Sequence, residues 1–494
     1  MSLFIKKPLS HLMAEADDTE KGMKRTLGAG ALIALGIGAI IGAGLFVRTA
    51  AAAAEHAGPS VTFGFIIAAI GCAFAGLCYA ELSSSIPIAG SAYTYSYATM
   101  GELVAWIIGW DLVLEYAVGA ATVGIAWSEY LNNLLTNVLH VGAIPYEWCH
   151  SPFQVSDGGV HGWINLPALF IIVVLTFLLI RGTHESALVN NLIVITKVAI
   201  VVLVIVLGWG FMTTENHTPY IPEVTKFTNE SGISHTFGGF WGIIGAAGVV
   251  FFAFIGFDAV STAAQEAKNP SRDMPIGILG SLLICTILYI LFAHVLTGIA
   301  PVEFFRTQGK EASVAAAINT YMTGYGWLGK FITVAILAGF SSVILVMLLG
   351  QSRVFYSMSR DGLLPTRFSA LHPKFKTPYK ANLFVMIIVG LFAAFVPGDV
   401  VGDMSSIGTL FAFILVCAGV IILRKTEPDL PRRFKTPWVP LVPILGILFC
   451  LLMIIGLGWV NWLRLFAWLA LGFIIYFGYS KKHSKLRNME ENQK

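Results

Sequence analysis

Apolar segments of helix length alternate with short polar segments along most of the chain. A helix needs about 20 mostly apolar residues to cross the hydrocarbon core of a bilayer, and the pattern predicts about twelve such spans. They are predicted near 29–53, 61–85, 98–129, 164–182, 186–211, 238–262, 275–299, 327–356, 381–397, 405–424, 438–459 and 462–479. We therefore predict an all-α polytopic membrane protein that forms one membrane unit.

Two of these segments are interrupted in the middle by glycine or other small residues. They read Gly36-Ile-Gly38-Ala-Ile-Ile-Gly42-Ala-Gly44-Leu-Phe46 and Gly248-Val-Val-Phe-Phe-Ala-Phe-Ile-Gly256-Phe-Asp258. Lipid cannot hydrogen-bond the backbone groups that a broken helix exposes, so such a break is tolerated where it lines a cavity or binds a polar ligand. Paired breaks in the two halves of a chain indicate the substrate site of a transporter.

The broken segments are helices 1 and 6, and they cross the membrane in opposite directions because five spans separate their starts. This order predicts an inverted repeat of five plus five helices, with two helices appended. The predicted divisions are a cytoplasmic tail over 1–27, a first repeat over 28–211, a second repeat over 212–397 with helices 6–10 extending to about 424, helices 11 and 12 over 425–479, and a cytoplasmic tail over 480–494.

Composition and charge agree with insertion into a membrane. Of the 494 residues, 56% are hydrophobic and 12% are charged, and the mean hydropathy is +0.77. Lys and Arg gather in both tails and in alternate loops, whereas 128–163 contains neither. Cationic loops stay on the cytoplasmic side, so both termini are predicted to lie on the cytoplasmic side of the cell membrane. The net charge of +3 follows from this asymmetry and indicates no nucleic-acid partner.

The break in helix 1 offers backbone groups that suit a ligand with a carboxylate and an ammonium. An unwound turn at Gly42 exposes N–H groups at a new helix N-terminus, which favours a carboxylate, and it frees carbonyls that accept from an ammonium. The predicted contributors are Ile40, Ile41, Gly42, Ala43, Gly44 and Leu45. The spacing of Gly38 and Gly42 also permits close helix packing, so packing stays an alternative interpretation.

The break in helix 6 is surrounded by aromatic side chains. Its carbonyls would add acceptors for an ammonium, and its bulky side chains would close the site, with Phe254 as the predicted gate. The predicted contributors are Phe251, Phe252, Ala253, Phe254 and Gly256. Packing in the core or against lipid is the alternative for at least two of the phenylalanines.

Lys197 lies about eleven residues into helix 5, some 16 Å deep at about 1.5 Å per residue. An ionisable residue at that depth indicates function, and desolvation favours a lysine that cycles between charged and neutral forms. The alternative is a permanently charged lysine tied to helix-1 carbonyls. In helix 3, Asp111 and Glu115 share one face. Glu115 is either a buried structural group or part of the pocket that selects the substrate side chain.

The motifs together resemble those of a known family. They include Gly36-x-Gly-x-Ile-Ile-Gly42-x-Gly-Leu-Phe46, Gly109-Trp-Asp-Leu, Phe254-Ile-Gly-Phe-Asp258, Glu266-Ala-Lys-Asn-Pro-Ser-Arg-Asp-Met-Pro275 and Met358-Ser-Arg-Asp-Gly-Leu-Leu-Pro365. The chain resembles the amino acid–polyamine–organocation superfamily and, within it, the cationic amino acid transporter group. The resemblance implies the leucine-transporter-type fold, substrate at the two breaks and proton coupling through Lys197, which stands where sodium-coupled relatives bind sodium.

Within that resemblance, two residues bear on specificity and partners. Met347 of helix 8 could fill space that a long cationic side chain needs, so an alanine-like neutral substrate and a cationic one both stay open. Cys149 lies in a loop where some relatives form a disulfide to a small membrane accessory chain, although an unpaired cysteine is the alternative.

The predicted function is proton-coupled import of neutral or cationic amino acids by a monomer that uses alternating access. An ion-independent exchanger or facilitator, and a receptor that binds without transport, are the alternatives. No hydrolase elbow, zinc-protease motif or phosphate-binding loop occurs in the sequence, so an enzyme or an ATP-driven pump is not expected. No cofactor or metal site is predicted.

Overall fold

The computed structural model describes residues 3–8, 27–86, 91–156, 158–181, 187–228, 232, 234–262, 264, 267–307, 312–375 and 377–492. Within them, eight helical runs are long and apolar enough to cross a membrane, and four shorter apolar helices accompany them. Together they make up the twelve predicted spans, labelled α1–α12 here, with α1 and α6 each divided into halves a and b.

The bounds of the spans follow the chain. They are Ala29–Ile40 (α1a), Gly44–Arg48 to Ala53–Ala57 (α1b), Val61–Ser85 (α2), Glu102–Val138 (α3), Leu166–Arg181 (α4), Ala187–Gly208 (α5), Gly239–Val250 with Phe251–Phe254 (α6a), Ala259–Thr262 (α6b), Pro270–Ile299 (α7), Gly326–Arg360 (α8), Tyr379–Phe395 (α9), Gly398–Thr426 (α10), Leu441–Gly456 (α11) and Trp459–Ile475 (α12).

The prediction of a polytopic helical protein with about twelve spans is confirmed, and the largest differences in bounds concern α3 and α10. The end of α3 lies at Val138 rather than near 129, and α10 begins at Gly398 rather than near 405. Asp399 and Asp403 lower the hydropathy of the first turns of α10. The structure accommodates Asp403 in the interior by an ion pair with Arg48 of α1b.

A β-hairpin in the loop between α5 and α6 adds to the all-α prediction. Its strands, β1 (Thr225–Thr228) and β2 (Ser234–Phe237), pair antiparallel. The hairpin packs against the end of α1b and the start of α6a. We call the side of the molecule that carries it the hairpin face.

Among the described residues of helices α1–α10, the members of four pairs five places apart contact each other: α1 with α6, α2 with α7, α3 with α8, and α4 with α9. The members of the first two pairs also pack together as one group, and those of the last two pairs pack as another. This pairing is the arrangement that an inverted repeat produces around its pseudo-twofold axis. The division of the chain near 211 and 397 stays a prediction.

Both ends of the described chain lie on the face opposite the hairpin, which we call the terminal face. Lys7 Nζ contacts Asp361 Oδ1 at 3.2 Å. The backbone N–H of Glu102 donates to the carbonyl of Ile5 at 2.9 Å. On the same face, Arg487 Nε donates to Glu102 Oε1 at 2.6 Å. The two terminal segments therefore pack together around the start of α3.

Glu102 is fully buried, and its carboxylate also accepts from Tyr476 Oη at 2.9 Å and Tyr97 Oη at 3.0 Å. We expect Arg487→Ala to lower the free energy of unfolding by about 3 kcal/mol, because it leaves a buried carboxylate without its cation. Thermal unfolding of the detergent-purified protein measures this change. Lys482→Ala removes an exposed cation from the same tail and is the control; equal melting temperatures for the two variants would contradict the prediction.

Candidate functional site

The break in α1 falls at the predicted residues. The first half ends at Ile40, Ile41 has extended backbone (φ −72°, ψ 105°), and helical turns resume at Gly44. The Leu45 N–H donates to the Gly42 carbonyl at 3.2 Å. The Leu45 N–H therefore bonds within the chain, and the N–H groups of Ala43 and Gly44 are the stronger candidates for binding a carboxylate.

The break in α6 follows Phe254. Phe251–Phe254 form a 3-10 turn, Ile255 is extended (ψ 132°), and helix resumes at Ala259. Gly256 has φ +114°, a conformation that side chains other than glycine rarely adopt. A Cβ at Gly256 would also lie 2.9 Å from the carbonyl oxygen of Ala39 in α1a. The glycine thus allows both the break in the helix and its close approach to α1.

The two breaks touch each other. A Cβ at Gly44 would lie 2.2 Å from the Cα of Ala253, so the backbone at the start of α1b rests directly on the turn that ends α6a. A second contact, between Gly256 in the α6 break and Ala39 just before the α1 break, brings the breaks together on the opposite side. Predicted site residues from opposite halves of the sequence are therefore neighbours in the interior of the bundle.

Tyr289 of α7 is a site residue that the sequence analysis missed. Its hydroxyl donates to the carbonyl of Ile40 at 3.0 Å, so this carbonyl at the α1 break, a predicted acceptor for an ammonium, already has a donor. Its ring lies 5.4 Å from that of Phe254 and 5.7 Å from that of Phe65, between centroids. A tyrosine in an otherwise apolar part of α7 was the available signal.

The phenylalanines of α6a divide between the break and the core. Phe254, the predicted gate, is fully buried between Tyr289 and Phe65, beside the end of α1a. Phe251 packs edge-on against Phe413 of α10, with centroids 5.6 Å apart. Phe252 is buried as well. Phe251 thus fits the packing alternative, whereas the gate role of Phe254 stays a prediction.

Lys197 of α5 is buried and connects three helices. Its Nζ donates to the carbonyl of Gly38 at 2.8 Å, one turn before the break in α1. Its aliphatic part lies against α8, where a Cβ at Gly339 would be 3.0 Å from Lys197 Cε. This geometry suits both a fixed charge that holds α1a and a lysine whose loss of a proton would release it.

Glu115 and Met347 lie in one region of the α3–α8 contact. A Cβ at Gly119, one turn beyond Glu115, would be 3.3 Å from Met347 Sδ. The Glu115 carboxyl faces Asp258 in the α6 break, and Tyr116 Oη donates to Asp258 Oδ2 at 2.8 Å. Both Glu115 and Asp258 are buried, so a protonated carboxyl would remove the repulsion between them.

A cavity of about 380 Å³ extends from the α1 break towards the hairpin face. We call it the vestibule, and its lining includes Ala43, Val47, Arg48, Glu55, Phe227 and Arg306. The ion pair of Arg48 with Asp403 joins α1b to α10 at its side. Cys149, also in the lining, is a free and buried thiol that contacts the Pro145 carbonyl at 3.5 Å. The break in α1 is thus approached from the hairpin face.

A bundle of membrane helices with two breaks in contact, one of them bordering a cavity, defines a membrane transporter. The chain belongs to the amino acid permease family, whose model matches residues 27–475. The family consists of transporters, not enzymes, and the function it supports for this chain is amino acid transport.

The chain is similar over nearly its full length to two transporters of Bacillus subtilis (strain 168). It is 46% identical to the branched-chain amino acid permease BcaP over 486 residues, 98% of this chain and 99% of the relative. It is 42% identical to the methylthioribose transporter over 487 residues, with the same coverage of 98% and 99%. It is also 36% identical to the chloroplastic cationic amino acid transporter 9 of Arabidopsis thaliana over 448 residues, 90% of this chain and 74% of the relative.

Proposed function

We propose that this protein is a secondary active transporter that couples the import of amino acids with neutral side chains to protons. The observation that carries the proposal is the contact between the two helix breaks, of which the α1 break borders the vestibule at Ala43. Such breaks place backbone N–H donors and carbonyl acceptors of helix ends in one buried location. A zwitterion requires both, one for its carboxylate and one for its ammonium. Both termini are proposed to be cytoplasmic, and the hairpin face external, in a monomer in the cell membrane.

The backbone groups of the breaks would hold the two charged ends of the substrate. The N–H groups of Ala43 and Gly44 stand at the start of α1b, where the positive end of the helix favours a carboxylate. The carbonyls of Ile41 and of the end of the Phe251–Phe254 turn would accept from the ammonium, whereas the Phe252 carbonyl already accepts from the Ile255 N–H. Since the Ile40 carbonyl is already bound by Tyr289, that pair would set the position of the site rather than contact the substrate.

The substrate side chain would point towards Met347 and Glu115. Met347 is buried and occupies volume at the α3–α8 contact, which favours a short or branched apolar side chain, and a relative named for branched-chain amino acids is 46% identical. A cationic side chain is the second candidate because Glu115 is an acidic group in the same region. Another relative is named for methylthioribose, so any test of the substrate needs that sugar as a competitor.

Lys197 would couple transport to protons. As a charged group it holds the Gly38 carbonyl; as a neutral amine it would hold it more weakly, since hydrogen bonds from charged donors are roughly twice as strong. Loss of the proton towards the terminal face would thus loosen α1a and favour opening on that side. In this cycle, the protonation state of Lys197 would determine the face towards which the helix bundle opens.

Uptake into proteoliposomes tests the proposed function. Labelled leucine, alanine and arginine are offered with and without an inward proton gradient, with unlabelled methylthioribose as a competitor and protein-free liposomes as the blank. Accumulation of leucine or alanine above equilibrium only with the gradient is expected. Equilibration without accumulation would mean a facilitator or exchanger, and binding without uptake would mean a receptor.

Met347→Ser is expected to shift the preference towards longer side chains, because it removes the thioether that fills the pocket region. We expect the ratio of arginine to alanine uptake to rise about tenfold, which corresponds to about 1.4 kcal/mol. Initial rates for both amino acids measure the ratio. Met386→Ser, a partly buried methionine of α9, is the control. An unchanged ratio in a Met347→Ser protein that still transports alanine would remove Met347 from the pocket.

A further inference from the structure

Three potential metal ligands meet at the rim of the vestibule. Glu55 and His56 end α1b, and His235 lies on β2 of the hairpin. One ligand atom from each residue lies within 4.8 Å of those of the other two. The imidazole rings of His56 and His235 are 4.5 Å apart between centroids, and His235 Nε2 lies 4.0 Å from Glu55 Oε2. Side chains from distant parts of the sequence thus converge on one point.

The surroundings hold two of these ligands in place. His56 is buried, and a Cβ at Gly245 of α6a would lie 2.5 Å from His56 Nδ1, so the ring rests against that helix. The side chain of His235 is only 8% exposed, whereas that of Glu55 is 25% exposed and lines the vestibule. An ion arriving through the vestibule would therefore meet Glu55 first and two ordered imidazoles behind it.

The ligand set selects a class of metal. Two imidazoles and one carboxylate suit Zn²⁺ and similar transition metals, while Mg²⁺ and Ca²⁺ prefer oxygen ligands alone. Bonds of about 2.0–2.2 Å place the ligands of tetrahedral zinc roughly 3.4 Å apart. The three side chains therefore need to approach one another by roughly 1 Å, which rotation of the less buried Glu55 and His235 side chains provides.

We propose that Glu55, His56 and His235 form a binding site for Zn²⁺ or a chemically similar transition-metal ion, with water as the fourth ligand. The bound ion fixes the hairpin to the end of α1b and draws the Glu55 carboxylate out of the vestibule. It also adds positive charge at the entrance. We expect Zn²⁺ to slow uptake from the hairpin face and to slow cationic amino acids most.

A second pair of histidines supplies the rival site and therefore the matched control. His217 and His294 lie with ring centroids 4.6 Å apart, also on the hairpin side of the bundle, and His217 contacts Thr297 there. This pair has an imidazole geometry like that of the proposed site but no carboxylate at the metal-ligand spacing among the described residues.

The test measures binding directly and does not depend on transport. Protein freed of its affinity tag is titrated with Zn²⁺ in metal-free buffer by isothermal calorimetry, and Co²⁺ is added separately to record the visible spectrum of the bound ion. The variants are His235→Ala, Glu55→Gln and His217→Ala, each first compared with the native chain in thermal unfolding. One zinc per chain and the intense spectrum of tetrahedral Co²⁺ are expected for the native chain and His217→Ala.

The outcomes separate the two sites. At least a tenfold loss of zinc affinity in both His235→Ala and Glu55→Gln, with unchanged melting temperature without metal, supports the proposal. Loss in His217→Ala instead assigns the binding to the rival pair and overturns it, and so does binding that no variant affects. Should the native chain bind no zinc at micromolar concentration, the proposal also fails, whatever the result for amino acid uptake.

Discussion

Lys197→Ala is expected to abolish the gradient-driven accumulation of amino acids while leaving substrate binding measurable. The substitution removes the buried ammonium that donates to the Gly38 carbonyl and with it the proposed proton site. Without that donor, α1a loses its tie to α5 whatever the pH, so substrate movement is no longer linked to protons. Accumulation in proteoliposomes under an inward proton gradient and exchange of labelled for unlabelled substrate are the two measurements.

The control is Lys330→Ala, which removes an exposed lysine from the start of α8. Three results for Lys197→Ala are distinguishable. Accumulation at the native level would exclude a coupling role. If accumulation, substrate binding and thermal stability are all lost, Lys197 has a structural role as a fixed charge, which is the alternative that the sequence left open. Loss of accumulation with exchange and stability preserved is the predicted result.

Gly44→Ala is expected to reduce both binding and transport by about tenfold or more. The new methyl group would lie 2.2 Å from the Cα of Ala253, so the backbones of α1b and α6a have to separate. Overpacking of this kind typically costs about 1–3 kcal/mol, and here the displaced atoms are the proposed ligands themselves. Substrate binding by scintillation proximity and initial uptake rates measure the effect.

Gly30→Ala is the matched control for this substitution. Gly30 lies in α1a, and a Cβ there would meet nothing within 4 Å. Alanine should stabilise α1a slightly, because glycine is the poorer helix former by about 1 kcal/mol. Native binding by Gly44→Ala, with a normal melting temperature, would show that the contact between the two breaks does not set the site.

The fold was predictable because its main signals are long and local. Apolar runs such as 275–299 exceed the length needed to cross a bilayer, and the glycines at 42, 44 and 256 mark where regular helix cannot continue. The β-hairpin was missed because its strands have four residues each and no alternating apolar pattern. The start of α10 was missed because Asp399 and Asp403 lower the hydropathy there, and hydropathy does not show that Asp403 pairs with Arg48.

The candidate site was predictable where it consists of backbone and not where it depends on contacts between distant side chains. The residues of both breaks could be named from the glycine pattern. That Tyr289 binds the Ile40 carbonyl, and that Glu115 faces Asp258, depends on how α7 and α3 pack. His235 likewise contacts the end of α1b because it lies on a hairpin that the hydrophobic pattern did not predict.

The depth of Lys197 would tie the proposed proton-coupled cycle to membrane voltage. The residue occupies the middle of α5, between Ala187 and Gly208, so a proton that binds there from the hairpin face crosses about half of the electric field. One charge moved across the whole membrane changes the free energy by about 2.3 kcal/mol per 100 mV, and half the field by about half as much. A cell with an interior-negative potential would thus load this lysine more readily than a depolarised one at the same external pH.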